Sequence, residues 1–291
     1  MSNYVLITDT DTDITPSVAQ KYGYHIISMP YTINGKDIFP YRDFEKFDAH
    51  TFYESLRKGA MPKTSALGPK TYKDFFEPFL KDGKDILYVH FSRAMSGSFS
   101  SMDSAIKELL SIYPERKIFC IDTKGITICA YAIVLEVGDQ YLQGKSAEEI
   151  VEWSKTEVDK FPTYFFVNDL SFFKRSGRVK AMTAFMGNLF GVRPILCMDS
   201  DGLMGAKSKA RGLKNTIEKV VSIVDELQEN LKDHRIIIGH SDALETANIV
   251  KEKLIEKFGD DLSFEVVDVN PTAGSHCGPD GVGVCFHGKH R

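Results

Sequence analysis

Short apolar runs alternate with amphipathic stretches through the first half of the chain. Tyr4 to Thr8, Ile86 to Phe91, Lys117 to Ile121 and Tyr164 to Val167 read as strands. Pro16 to Tyr22, Ser98 to Tyr113, Ile126 to Leu142 and Ala147 to Val158 read as helices. In the second of these, Met102, Ala105, Ile106, Leu109 and Leu110 recur at helical spacing on one face. Strands separated by helices predict parallel pairing in a helix-flanked sheet. Residues 25 to 47 are irregular, rich in Tyr, Pro, Gly and Asn, with room for short strands. Asp48 to Arg57 and Lys70 to Leu80 read as helices, the latter burying Phe75, Phe76, Phe79 and Leu80.

The second half has another rhythm. Pro194 to Met198 and Met204 to Ser208 flank Asp199-Ser200-Asp201-Gly202, a hairpin signal in which the glycine supplies the turn conformation. Helix 213–231, strand Arg235 to Gly239, helix 243–258, strand Phe264 to Val269 and strand Val282 to Phe286 follow. The pattern predicts an α/β chain of two domains. Residues 1–160 form an N-terminal parallel-sheet α/β domain, and residues 161–291 a C-terminal α+β domain with a mixed sheet. The length of 291 residues suits roughly two domains.

Composition narrows the function classes. Apolar residues make up 43% and charged residues 26%, the balance of a soluble globular protein. A net charge of −4 argues against nucleic acid, which needs a concentrated basic surface. The local basic cluster Lys174, Arg175, Arg178 and Lys180 reads as a solvated loop. Met1-Ser2-Asn3-Tyr4 lacks the basic start of a secretory leader, and no apolar run reaches the ~18 residues of a membrane span. Of the five cysteines, Cys120, Cys129 and Cys197 sit in apolar runs, and none forms a C-x-x-C pair. A reducing cytoplasm is the expected compartment.

Several segments could carry chemistry. Asp9, Asp11 and Asp13 follow the first strand, where carboxylates are well placed for metal or phosphoryl chemistry. A Mg²⁺-dependent phosphohydrolase of the haloacid dehalogenase type would use Asp9 as nucleophile and Asp11 as acid, with Gly259-Asp260-Asp261 as a late acidic motif. An EF-hand fails, because Ile14 and Gln20 occupy the required Gly and Glu positions. The structural alternative is that Asp13 caps the next helix. Ser96-Gly97-Ser98 lies at a strand–turn–helix junction, where free N–H groups favour an anion. There the competing reading is that Ser98 only caps. Thr64-Ser65-Ala66-Leu67-Gly68-Pro69 reads as an ordinary loop before a helix. Lys174 to Val179 leads into Met182, Phe185, Met186, Leu189 and Phe190, which suit an acyl chain or a core helix. The Gly-rich stretch His276 to Gly283 leads into a strand, so it is no dinucleotide fingerprint, and His276 with Cys277 lacks spaced zinc partners.

Taken in order, these segments resemble the DegV family of bacterial fatty-acid-binding proteins. The family's D-S-[ST]-x-D appears as Asp9-Thr10-Asp11-Thr12-Asp13, and its T-S loop as Thr64-Ser65-Ala66-Leu67. Its S-G-T-[YF] is Ser96-Gly97-Ser98-Phe99, and its G-R pair is Gly177-Arg178. Its [IV]-[KR]-P-I-L is Val192-Arg193-Pro194-Ile195-Leu196, and its H-x-G-P-G-x-x-G is His276 to Gly283. The resemblance implies one fatty acid in an apolar tunnel at the domain junction, with no other cofactor and no metal. It implies a carboxylate held by Thr64, Ser96 and the Gly97 backbone, with Ser65, Arg178 and His276 as head-group neighbours. Met182, Phe185, Met186 and Leu189 are the candidates for lining the acyl chain. It further implies a non-catalytic subunit that presents the acid to a separate fatty acid kinase for acyl phosphate formation. A regulatory site for another amphipathic anion would differ only in its ligand. The chain departs from the pattern at Asp11, Ala66, Leu67, Cys277 and Asp280. Asp11 and Asp280 would repel a carboxylate, so both are expected to point away from it.

Overall fold

The computed structural model describes residues 3–177 and 191–291. Arg178, Met182, Phe185, Met186 and Leu189 therefore lie outside the described residues. In chain order the first part runs β1 (Tyr4–Asp9), α1 (Pro16–Tyr22), β2 (Tyr24–Ile27), β3 (Tyr31–Ile33), β4 (Lys36–Ile38), α2 (Ala49–Arg57) and β5 (Lys63–Thr64). It continues through α3 (Pro69–Lys81), β6 (Asp85–His90), α4 (Ser98–Ile112), β7 (Ile118–Asp122), α5 (Ile128–Leu142) and α6 (Ala147–Glu157). Then come β8 (Thr163–Phe166), α7 (Ser171–Ser176), β9 (Val192–Met198), β10 (Met204–Arg211), α8 (Leu213–Leu227) and β11 (Arg235–His240). The chain closes with α9 (Leu244–Phe258), β12 (Ser263–Asp268), α10 (Pro271–Cys277) and β13 (Val282–Cys285).

Three sheets result. β2, β1, β6 and β7 form a parallel sheet in that order. β10, β9, β8, β13, β11 and β12 form a mixed sheet, antiparallel except for the β11–β12 pair. β4, β3 and β5 make a small antiparallel sheet. The expected parallel and mixed sheets are both present. Three short elements were invisible to periodicity: β5 is a two-residue strand held by pairing with β3, α7 is a six-residue helix, and α10 is a seven-residue helix. Helix α8 ends at Leu227, four residues before the expected end at 231.

Strand alternation sorts the core into layers. Ile7, Ile86 and Tyr88 of the parallel sheet pack against Tyr72, Phe76 and Leu80 of α3 and Met102 and Leu109 of α4. Leu6, Leu87 and Val89 point the other way, onto α5. Helix α5 is apolar nearly all round, and its outer side meets Ile237 and Cys285 of the mixed sheet. A helix buried on all sides needs no polar face, and here it is the layer shared by the two sheets. Helices α8 and α9 cover the far face of the mixed sheet. The apolar clusters thus run across position 160, joining residues from both halves.

The hairpin between β9 and β10 turns where the sequence places it. The Asp199 carboxylate accepts N–H bonds from Asp201 at 3.0 Å and Leu203 at 2.9 Å. Its tip docks on the first half, where the Ser92 hydroxyl donates to the Gly202 carbonyl at 2.7 Å. Gly202 has φ +75°, and a Cβ there would overlap Ser92 Oγ and lie 3.2 Å from Lys124 Cα. Gly35 has the same φ of +75° but open space around it. Gly202→Ala should therefore lower stability by about 1–3 kcal/mol more than Gly35→Ala in chemical denaturation. Equal losses would show that the hairpin tip does not bear on the first half.

Candidate functional site

Between the carboxyl ends of the parallel strands and the mixed sheet lies a cavity of about 1130 Å³, counting its open mouth. Ligand pockets are commonly mostly apolar. The apolar lining here includes Met29, Phe91, Met95, Phe165, Phe173, Met198 and Met204. Both halves of the chain contribute. Two glycines of the mixed sheet, Gly239 and Gly283, also line it. A side chain at either would run into Ile128 of α5, and one at Gly283 would also come within 2.9 Å of Phe165 Cβ.

A group of polar residues also lines the cavity: Asp11, Thr64, Ser65, Ser96, Gly97, Ser98, Thr272 and His276. Hydrogen bonds tie the loops that carry them. Thr64, placed at the end of β5, bonds His276 Nε2 through its hydroxyl at 2.9 Å. Three residues on, Leu67 N–H donates to Ser98 Oγ at 3.0 Å, and the Ser96 hydroxyl donates to the same oxygen at 3.0 Å. The sequence expectation that Ser98 caps the helix does not hold. Gly97 is the N-cap without a side-chain bond, and Ser98 is the first helical residue. At Gly97 an added Cβ would meet nothing within 4 Å, and its φ of −69° is ordinary. This glycine serves space and not backbone conformation. Thr64, Ser96 and His276 are half-buried, whereas Ser65 and Gly97 are exposed, so this polar group reaches the mouth.

The acidic turn after β1 is wholly interior. Asp9 is 0% exposed and accepts from the Tyr88 hydroxyl at 3.0 Å, Phe91 N–H at 3.3 Å and Asp11 N–H at 3.1 Å. Burial nonetheless pushes its carboxyl up to about 7. Asp13 does not cap α1, because the Thr15 hydroxyl accepts the Val18 N–H instead. The Asp13 carboxylate reaches across the chain and accepts both the N–H and the side-chain N–H₂ of Asn270, at 2.9 and 2.7 Å. Burial raises it too, to about 7. Asn270 is the N-cap of α10, so this contact fixes the helix whose same face carries Thr272 and His276.

Asp11 overturns an expectation. It lines the cavity, whereas Asp280 lies outside the lining and pairs with Arg57 at 2.6 Å. Burial, with Asp9 and Asp13 adding to it, holds the Asp11 carboxyl well above the usual carboxylate range. The phosphohydrolase reading of Asp9 and Asp11 finds no support. The Asp9 carboxylate faces three internal donors and is closed to substrate. Among the described residues no group of three or more His, Cys, Asp or Glu side chains is arranged to hold a metal ion. No described helix is long and apolar enough to cross a membrane.

Sequence reasoning missed two contributors, Thr272 and Thr127. Thr272 sits one turn before His276 on α10 and donates its hydroxyl proton to the Met29 carbonyl at 3.0 Å. Asn270-Pro271, a capping residue followed by proline at the first helical position, was the available signal for that helix. Thr127 also lines the cavity, with φ +53°, and its N–H donates to the Asp11 carbonyl at 2.8 Å. A β-branched residue rarely takes that conformation, and nothing in the sequence marks it. Lys174 and Arg175, expected in a loop, form the exposed last turn of α7, with Arg175 stacked 4.3 Å over the Phe172 ring.

Comparison with known proteins agrees with this architecture. The family model described as "Uncharacterised protein, DegV family" matches residues 3–289. A DegV domain-containing protein of Clostridium perfringens is 29% identical over 292 residues, covering 100% of this chain and 99% of its own. A DegV-family structure from Ruminococcus gnavus, refined with vaccenic acid, superposes with a TM-score of 0.86 at 22% identity. It covers 98% of this chain and 100% of its own. A fatty-acid-binding DegV-family structure from Thermus thermophilus gives 0.86 at 22% identity, covering 98% and 99%. The match along nearly the whole chain, with the parallel and mixed sheets in place, shows that this protein belongs to the DegV family.

Proposed function

We propose that the chain binds one long-chain fatty acid in the cavity between its sheets and holds the carboxylate with Thr64, Ser96 and the backbone at Gly97. The observation that carries this reading is a cavity, mostly apolar, whose hydroxyls are linked by hydrogen bonds near an open mouth. Solved relatives of the same fold hold fatty acids, vaccenic acid among them. Each buried methylene contributes ~0.8 kcal/mol, so a long acyl chain gains on the order of 10 kcal/mol before the entropy of association is subtracted. The head group then needs orientation more than strength. His276 can direct it, because an Nε2–H donating to Thr64 leaves the Thr64 proton for the ligand. The start of α4 adds N–H groups that favour an anion.

In this reading the residues up to about 160 grip the head group and the remainder covers the chain. Exposure of Ser65 and Gly97 at the mouth suits presentation of the carboxylate to a separate fatty acid kinase, which would convert it to acyl phosphate. Arg178 is the further candidate near that end.

Native mass spectrometry of protein purified from bacteria should show a bound fatty acid. Protein that is empty and also ignores added oleate or palmitate would end the proposal. Thr64→Ala combined with Ser96→Ala should weaken oleate binding roughly 10- to 100-fold, as expected for lost bonds to a charged group, with little change in melting temperature. Unchanged affinity would remove both residues from the site. Gly97→Val should fold normally, since its side chain enters open space, yet block the head-group end. Normal binding by that variant would place the carboxylate elsewhere. Loaded protein mixed with ATP and a fatty acid kinase should yield acyl phosphate, trapped as the hydroxamate, and no product would argue against the presenting role.

A further inference from the structure

Asp11 stands where the DegV pattern has Ser or Thr, and in the structure it is among the residues that line the cavity. Among the described residues it is the only acidic residue of the lining, and the lining contains no lysine or arginine. The residue is 5% exposed, and no donor among the described residues reaches its Oδ1. Its surroundings are poor in protons. Asp9 and Asp13 flank it in the same turn, both as acceptors. Thr272 on α10 gives its hydroxyl proton to the Met29 carbonyl, and its side chain also lies within hydrogen-bond reach of the Asp11 carboxyl, a contact that offsets burial only in part. Tyr72 of α3 lies near enough to feel its charge, and His276 and Cys277 share the lining from α10. The backbone holds Asp11 in place, its N–H given to Asp9 Oδ1 and its carbonyl taken by Thr127 N–H.

An ionised carboxylate in such a setting is short of donors and faces like charge, and bringing in a ligand carboxylate would add another. Two carboxyl groups that share a buried site keep one proton between them. On the fatty-acid reading above, we propose that Asp11 acts as a proton donor to the ligand: its un-ionised carboxyl bonds the fatty acid carboxylate, so the bound pair carries one proton and one negative charge. No bond to carbon changes. The proton stays between the two oxygens, and where the solution pH has ionised Asp11 beforehand, it is drawn from solvent as the ligand enters. A residue that would exclude an anion in its charged form thereby becomes part of the grip. This chain differs here from a site built on Ser or Thr, which would grip the same ligand without proton uptake. Burial and the neighbouring carboxylates raise Asp11 in the direction this requires.

The test uses the full chain loaded with palmitate carrying ¹³C at the carboxyl carbon, which separates the ligand's infrared carbonyl band from those of the protein. At pH 7 the spectrum of the wild-type complex minus that of Asp11→Asn should contain the band of an un-ionised carboxylic acid. Asp9 and Asp13 are present in both and cancel. Across rising pH the band should bleach, and above that point palmitate affinity should fall toward tenfold per pH unit in wild type while Asp11→Asn loses this dependence. Asp11→Ser, the family's own residue type, serves as a second variant and should lose it as well. No difference band at pH 7, or tighter binding by either variant at pH 7, would mean that Asp11 is ionised and repulsive, and would overturn the proposal. A pH response that survives in both variants would belong to another group and overturn it equally. Absence of palmitate binding at every pH in all three proteins would instead refute the fatty-acid reading, and the proton-sharing proposal with it.

Discussion

The buried Asp13 carboxylate, bonded twice to Asn270, is the contact on which the polar group in the cavity depends. It joins the turn after the first strand to the cap of α10, which lies 257 residues later in the chain. Helix α10 is only seven residues long and could not persist by its own propensity. Held at its start, it presents Thr272 and His276 on one face, and His276 in turn fixes the Thr64 hydroxyl. Leaving such a pair half-made costs about 1–3 kcal/mol for each orphaned buried group. The consequence reaches further than stability, because the same contact sets where the head-group hydroxyls stand relative to Asp11.

A cavity of this size works against close packing, so the surrounding layers must be fixed independently of it. Helix α5 does most of this by filling the space between the parallel and mixed sheets with its apolar sides. Gly239 and Gly283 admit Ile128 where any side chain would collide. The docked tip of the β9–β10 hairpin closes the arrangement from the other side through Ser92 and Gly202. The open volume then persists because its walls are anchored to one another outside it.

Long periodic elements were legible in the sequence. Three of the four strands of the parallel sheet, helix 98–112 and the Asp199–Gly202 turn follow directly from spacing and turn chemistry. Short elements were not. Strand β5 exists only because β3 offers it an edge, and Thr64 reads as loop until that pairing is seen. The orientations of Asp11, Asp13 and Asp280 depend on partners far away in sequence, and only one of the two expectations about facing away holds. Arg57 claims Asp280, whereas no cation among the described residues claims Asp11. Family resemblance joined Thr64 to Ser96, a link that spacing alone could not make, and the bond from Leu67 N–H to Ser98 Oγ supplies its physical basis.

The central claim is that the acyl carboxylate sits among Thr64, Ser96 and Asp11, with the chain running along the apolar walls. A crystal structure of the oleate complex tests it most directly. The account predicts one carboxylate oxygen within hydrogen-bond distance of the Thr64 and Ser96 hydroxyls. The other should be paired with Asp11 at the short separation of a charge-assisted O–H···O bond, about 2.5–2.7 Å. A head group elsewhere in the cavity, or an Asp11 carboxyl turned away from it with its own new donor, would contradict the account.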